Sequence, residues 1–214
     1  MTKVDVISGF LGAGKTTLIR KLLKEGLENE KVVLIENEFG EIGIDGGFLK
    51  EAGIMIKEMN SGCICCSLVG DFGEALKKVI SEYHPDRVLI EPSGVGKLSD
   101  VMAAVKRVSE ECELELNSAT TVADAQKAKS YIKNFGEFFN NQIENAGAIV
   151  LSRTQFVSEE KLLDTVALLR EMNPKARILT TPWEELSGEK ILSVIEASED
   201  LTIALMEAAE KALA

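Results

Sequence analysis

Residues Gly9-Phe10-Leu11-Gly12-Ala13-Gly14-Lys15-Thr16 fit the spacing G-x-x-x-x-G-K-[ST]. The chemistry this suits is phosphate binding. Glycines let successive backbone N–H groups converge on phosphate oxygens, and a helix starting at the end of the loop adds its positive terminus. Lys15 can reach the β- and γ-phosphates of a nucleoside triphosphate, and the Thr16 hydroxyl can ligate Mg²⁺. The competing reading is a glycine-rich turn without a ligand. Context weighs against it, because the motif lies between the apolar run Val4-Asp5-Val6-Ile7 and the helical pattern Leu18-Ile19-Arg20-Lys21-Leu22-Leu23.

A second group is Glu91-Pro92-Ser93-Gly94, which ends the apolar run Val88-Leu89-Ile90. A carboxylate at a strand end can hold the Mg²⁺ shell, and the N–H of Gly94, three residues on, can meet the γ-phosphate. The third is Gly62-Cys63-Ile64-Cys65-Cys66. Three thiols in four residues suit a soft metal such as Zn²⁺. Adjacent side chains point apart in an extended strand, so the segment must curl, which Gly62 permits. A four-coordinate ion would then need a carboxylate, a water or a second subunit. The alternative is a structural or redox-active cluster without metal. Between these motifs, Glu36-Asn37-Glu38-Phe39-Gly40-Glu41-Ile42-Gly43-Ile44-Asp45 carries four acids in ten residues. It reads either as a solvated loop or as a switch. As a switch it makes Glu38, Glu41 and Asp45 candidates for activating the attacking water.

The elements that must position these groups alternate. Strands are expected near Val32–Glu36, Ile54–Glu58, Arg87–Ile90, Leu114–Val122, Ala148–Leu151 and Arg177–Thr180. Helices are expected near Lys15–Gly26, Asp71–Ser81, Leu98–Ser109, Glu159–Glu171 and Glu189–Ala197. This alternation predicts an α/β fold, a mostly parallel sheet with helices on both faces and a ligand beyond the carboxyl ends of the strands. Near 198–213, Leu201, Leu205, Ala208 and Ala212 fall on one helical stripe, read as packing on the chain's own sheet.

With 214 residues, 45% of them hydrophobic, the chain is read as a single nucleotide-binding domain over 1–214. A net charge of −11 argues against a nucleic-acid backbone or an anionic membrane as the main partner. With no signal peptide and no 18-residue apolar span expected, the chain is assigned to the cytoplasm. There Cys63, Cys65, Cys66 and Cys112 are expected as thiols or metal ligands rather than disulfides.

Taken together, Gly-Phe-Leu-Gly-Ala-Gly-Lys-Thr-Thr, Asn-Glu-Phe-Gly-Glu, Gly-Cys-Ile-Cys-Cys and Glu-Pro-Ser-Gly resemble the CobW/HypB/UreG family of P-loop metallochaperone GTPases, above all its CobW branch. The resemblance implies a P-loop NTPase fold and GTP hydrolysis coupled to delivery of Zn²⁺, Co²⁺ or another transition metal. The recipient would be a client metalloenzyme or cofactor-assembly protein. It carries Gly12, Gly14, Lys15, Thr16 and Thr17 to nucleotide binding and Glu91 to the Mg²⁺ shell; on the residues themselves Ala13 joins the nucleotide loop, Thr16 joins Glu91 at Mg²⁺, and Lys15 and Glu91 are the catalytic candidates with Glu38 and Glu41. It carries Cys63, Cys65 and Cys66 to the transported metal, and it suggests nucleotide-dependent homodimerisation.

Two departures qualify the resemblance. The family's further C-terminal domain and His-rich tract are not expected here, since the only histidine, His84, reads as a helix-end residue before Pro85. The other concerns the base. Where Asn-Lys-x-Asp should follow the strand at Ala148–Leu151, this chain has Ser152-Arg153-Thr154-Gln155. Gln155 has one acceptor and one donor, so it cannot match a carboxylate that accepts from both N1–H and the amine of guanine. It could instead pair with an adenine edge, while Arg153 stacks on the base. GTP is favoured and ATP stays open. The alternative function is an NTP-gated activator of a cofactor- or metal-containing enzyme, with structural or redox cysteines.

Overall fold

The computed structural model describes residues 1–36, 55–58 and 69–197. The acidic run after Glu36, the cysteine motif and the C-terminal stripe therefore lie outside the described residues. Seven strands form among those described: β1 (Thr2–Gly9), β2 (Val32–Glu36), β3 (Met55–Glu58), β4 (Arg87–Glu91), β5 (Leu114–Asp124), β6 (Ala148–Ser152) and β7 (Arg177–Leu179). They make one parallel sheet in the order β3-β2-β4-β1-β5-β6-β7. Around it lie α1 (Lys15–Glu25), α2 (Val69–Tyr83), α3 (Leu98–Ser109), α4 (Ala128–Asn134), α5 (Gly136–Glu144), α6 (Glu159–Met172) and α7 (Gly188–Glu196).

Strands that are apolar on both faces must be covered on both, and the core divides accordingly. On one face Leu18, Ile19, Leu22 and Leu23 of α1 pack with Ile191 and Ile195 of α7 against Ile7, Leu34, Leu89 and Val150. On the other, Phe72 and Leu76 of α2, Val101 and Val105 of α3, Phe139 and Ile143 of α5 and Leu169 of α6 cover Val4, Val6, Ile35, Val88 and Ile149.

The expected elements are present, with boundaries moved by a residue or two. β5 continues through Asp124 because its last residues keep pairing with β6, Asp124 opposite Ser152. The helices α4 and α5 had no expectation. Polar and aromatic, with Gly136 opening α5, they have little intrinsic helical signal. Burial of Phe139 and Ile143, and contact of Phe10 with the Tyr131 and Phe135 rings at 4.7 and 4.8 Å, supply what propensity does not. His84 does end a helix: it follows α2 with φ of 43° and its N–H bonds Ile80 O at 3.0 Å.

At the amino ends of the strands sits a charge cluster. Arg87 is 1% exposed and donates to Asp5 of β1, to Glu30 at 2.6 Å and to Glu196 at the end of α7 at 2.8 Å. A register shift in the β1–β5 ladder pairs Val4 with Leu116 but Asp5 with Ser118, leaving Asn117 as an extra residue. The bulge brings Asn117 and Ser118 to the same carboxylate, which accepts from both at 2.8 and 2.6 Å.

Burial opposes ionisation of Glu196, but hydrogen bonds from Arg87 and Asn117 outweigh it and hold its carboxyl below the ordinary value of 4.5. A depressed folded-state value means stability that is fully present above about pH 4.5 and lost as pH falls through the lower folded value. Glu196→Gln is therefore expected to cost about 1 kcal/mol at pH 7. The gap to the unmodified chain should shrink as the pH is lowered below 4 to 5, as measured by urea unfolding across pH.

Candidate functional site

The carboxyl ends of the central strands carry the polar residues of the site. The register sets Glu36 of β2 beside Glu91 of β4, and Asp124 of β5 beside Ser152 of β6. Gly9 ends β1 between these pairs. It has φ of 147°, and a Cβ there would lie 2.4 Å from Val122 O, so only glycine lets the chain leave the sheet at this point. Gly12 and Gly14 also have positive φ, 68° and 105°. Gly14 is the left-handed N-cap of α1, so the loop runs straight into the helix terminus.

A cleft of about 400 Å³ opens at this edge, lined by Gly12, Gly14, Lys15, Thr16 and Thr17 together with Leu11, Glu36, Glu91, Pro92, Ser93, Gly94 and Arg153. Lys15 is 9% exposed, and its ammonium lies 4.0 Å from a Glu91 carboxylate oxygen. The Thr16 hydroxyl donates to the same carboxylate, at 3.1 and 3.3 Å. A hydroxyl and a carboxylate oxygen this close, beside a buried ammonium, form the oxygen-rich pair that Mg²⁺ takes when it accompanies a triphosphate. Gly94 packs onto the loop, where an added Cβ would meet Leu11 N at 2.8 Å. These residues fit a nucleotide and its Mg²⁺.

Ala13 turns its methyl into the core, and its N–H bonds Phe10 O at 3.1 Å. Ser152 and Gln155 do not line this cleft. Ser152 is buried behind it, its hydroxyl without a hydrogen-bond partner among the described residues. Gln155 is exposed on the 3-10 turn Thr154–Phe156. Arg153, at φ of 58°, holds the two regions together: its guanidinium donates to Asp124 at 2.7 Å and to Gly12 O at 2.9 Å. Glu38, Glu41, Asp45, Cys63, Cys65 and Cys66 lie outside the described residues.

Sequence reasoning missed several residues that shape the site. Glu36 was read only as part of an acidic run, yet it lines the cleft at 8% exposure. Asp124 carried the same signal as Glu91, a carboxylate closing an apolar strand. Gln142 had no signal, since it lies on the unforeseen α5. Fully buried, it donates to Gly94 O at 3.1 Å and Gly96 O at 2.9 Å, fixing the loop that follows Glu91. Trp183 packs beside the glycine loop, donating its indole N–H to Leu151 O at 2.9 Å with its ring 3.3 Å from the position of a Gly14 Cβ.

This fold and cleft define a P-loop nucleotide-binding domain. Residues 3–180 match the family model of the CobW/HypB/UreG nucleotide-binding domain, and the chain belongs to that family. The zinc chaperone YeiR of Escherichia coli (strain K12) is 34% identical over 160 residues, covering 75% of this chain and 49% of that protein. The zinc chaperone CobW of a Sinorhizobium species is 30% identical over 218 residues, covering 89% and 60%. The fold resembles that of the Zn(II)-bound YjiA GTPase from E. coli, with a TM-score of 0.63 at 23% identity over 84% of this chain and 57% of that one. The chain thus spans only about half the length of the curated relatives it matches, 49% and 60% for these two.

Two variants probe the cleft. Lys15→Ala should lower triphosphate affinity about 10- to 100-fold, the loss of a charge-assisted contact, while unfolding stays cooperative. Isothermal titration checks it, and unchanged affinity would remove Lys15 from the phosphate site. Gly94→Ala must displace either Leu11 or the loop held by Gln142, so single-turnover hydrolysis should slow about tenfold or more. A normal rate would mean that the close approach of Gly94 to Leu11 has no part in hydrolysis.

Proposed function

We propose that this domain binds and hydrolyses a nucleoside triphosphate, GTP in preference to ATP, and couples the cycle to handling a transition metal for a client metalloprotein. The observation that carries the nucleotide half is the convergence of Lys15, Thr16 and Glu91 at the mouth of the glycine loop. Lys15 and the loop N–H groups stabilise charge on the transferring phosphoryl group. Thr16 and Glu91 would hold Mg²⁺, which neutralises phosphate charge when bound. Gly94, whose carbonyl is held by Gln142, is the proposed N–H donor to the γ-phosphate. Glu38 and Glu41 are the proposed groups for orienting the attacking water, a role Asp45 could also fill.

The metal half rests on Cys63, Cys65 and Cys66 and on the relatives named zinc chaperones. Zn²⁺ is the proposed cargo and Co²⁺ its spectroscopic substitute. The sheet register supports coupling between the two halves. Glu58, the last residue of β3, pairs with Glu36, which pairs with Glu91. The chain therefore leaves β3 toward the cysteine motif from the same edge that holds the nucleotide cleft, two strands from Glu91. Among the described residues no group of three His, Cys, Asp or Glu side chains converges as a metal site. The fourth cysteine, Cys112, sits half-buried at the edge of the core.

We place the protein in the cytoplasm, acting as a single nucleotide-binding unit over 1–214 and forming homodimers when nucleotide is bound. Among the described residues no helix is long and apolar enough to cross a membrane.

The test is linkage measured anaerobically. Co²⁺ should bind with thiolate charge-transfer bands, and a Mg²⁺-bound non-hydrolysable GTP analogue should change its affinity about 5- to 150-fold. Cys63, Cys65 and Cys66 changed together to Ser should abolish the bands, whereas Cys112→Ser should keep them. Equal metal affinity with and without nucleotide would refute coupling. Bands that survive the triple change would move the metal elsewhere.

A further inference from the structure

The Ser152-Arg153-Thr154-Gln155 segment lacks the carboxylate that reads guanine, yet the fold brings one to the same place from another element. The Gln155 amide nitrogen lies 3.4 Å from a carboxylate oxygen of Glu184, 29 residues further along the chain. Glu184 belongs to the 3-10 turn Trp183–Glu185 that follows β7, and its side chain is exposed.

Two anchors set this juxtaposition. The 152–155 segment is tied to the phosphate loop by the Arg153 bond to Gly12 O at 2.9 Å. The 183–185 turn is tied to the same loop by Trp183, whose indole N–H bonds Leu151 O at 2.9 Å and whose ring atoms lie 3.3 and 3.6 Å from the Cβ position of Gly14. Both segments therefore flank the glycine loop on one side, the side away from Glu36 and Glu91. A base attached to a triphosphate on that loop must extend between them, because the other flank is occupied by Glu36 and Glu91.

Building on the nucleotide-binding reading above, we infer that Glu184, delivered by the turn after β7, is the guanine-specifying residue of this chain, and that Gln155 orients its carboxylate. A carboxylate offers only acceptors. Guanine presents two adjacent donors, N1–H and the exocyclic amine, and both can reach one carboxylate. Adenine presents a bare N1 lone pair there, which a carboxylate repels. Hypoxanthine keeps N1–H and lacks the amine, so it makes one bond of the two. Xanthine places a carbonyl where the amine would be, so it too is rejected. An amide at the same point would reverse that last preference, because its carbonyl accepts from N1–H and its NH₂ donates to the xanthine carbonyl.

The experiment is competition binding of GTP, ITP, XTP and ATP, each with Mg²⁺, to the whole chain and to Glu184→Gln. The unmodified chain should rank GTP first, ITP weaker, XTP and ATP weakest. In Glu184→Gln the GTP-to-ATP ratio should fall about 10- to 100-fold, the usual discrimination of a two-bond base contact, while XTP gains affinity. A gain for XTP cannot arise from misfolding or from loss of packing. Adding Gln155→Asp to Glu184→Gln returns a carboxylate to the same place and should restore the GTP preference. If the unmodified chain prefers GTP but Glu184→Gln leaves the ratio unchanged and gains no XTP affinity, the assignment of Glu184 is overturned and the GTP reading stands. If the unmodified chain prefers ATP or binds neither triphosphate, the GTP reading itself fails, and the role of Glu184 with it.

Discussion

The buried guanidinium of Arg87 fixes the alignment on which the rest of this domain depends. In a sheet covered on both faces, apolar alternation says little about register, since a slipped strand still buries Val, Ile and Leu on either side. Charge removes that ambiguity. Asp5, in the middle of β1, is 2% exposed and must meet Arg87, Asn117 and Ser118 to be tolerated. A shift of β1 by one residue would turn Asp5 to the opposite face, among Val88, Ile90 and the helices that cover them. Glu30 before β2 and Glu196 at the end of α7 bring the neighbouring elements to the same point.

With the amino ends aligned, the carboxyl ends follow. Four residues along from Asp5, β1 reaches Gly9, whose absent side chain is required by Val122 O. The β1–β4 register pairs Asp5 with Leu89, and the β2–β4 register sets Glu91 level with Glu36 at the mouth of the cleft. The Arg87 charge cluster occupies one end of the strands and the carboxylates of the cleft the other, with apolar residues such as Ile7, Leu34, Leu89 and Val122 between them. Arg87 is engaged at the amino end, and in the cleft the Lys15 ammonium lies beside Glu91.

The loops around the cleft are held from outside it. The Gln142 side-chain amide holds the carbonyls of Gly94 and Gly96, and the Thr121 hydroxyl donates to the Gln142 backbone carbonyl at 2.6 Å. Asp124 holds Arg153, which has a left-handed backbone that a residue with a Cβ adopts at a cost of about 1–2 kcal/mol. Such strain persists where surrounding contacts over-determine it, and the two bonds of the Arg153 guanidinium do so. The cleft is thus preorganised by Gln142, Thr121 and Asp124, which do not line it.

The phosphate loop and the α/β alternation were legible in the sequence because both are local. A glycine spacing must sit between a strand and a helix, and apolar periods of two and of 3.6 residues name their elements directly. Glu91 was legible for the same reason, as a carboxylate closing an apolar run. The helices α4 and α5 were not, because tertiary burial of Phe139 and Ile143, rather than propensity, makes them. Asp5 and Arg87 stood in plain view as charges inside apolar runs, but their pairing across 82 residues is a product of strand order, which no local pattern encodes. The contact of Gln155 with Glu184 is of the same kind. The sequence by itself determined that a triphosphate loop exists and where its cation lies. Only the folded sheet decided which distant carboxylates face it, because strands remote in sequence become neighbours through pairing and their side chains then meet at one edge.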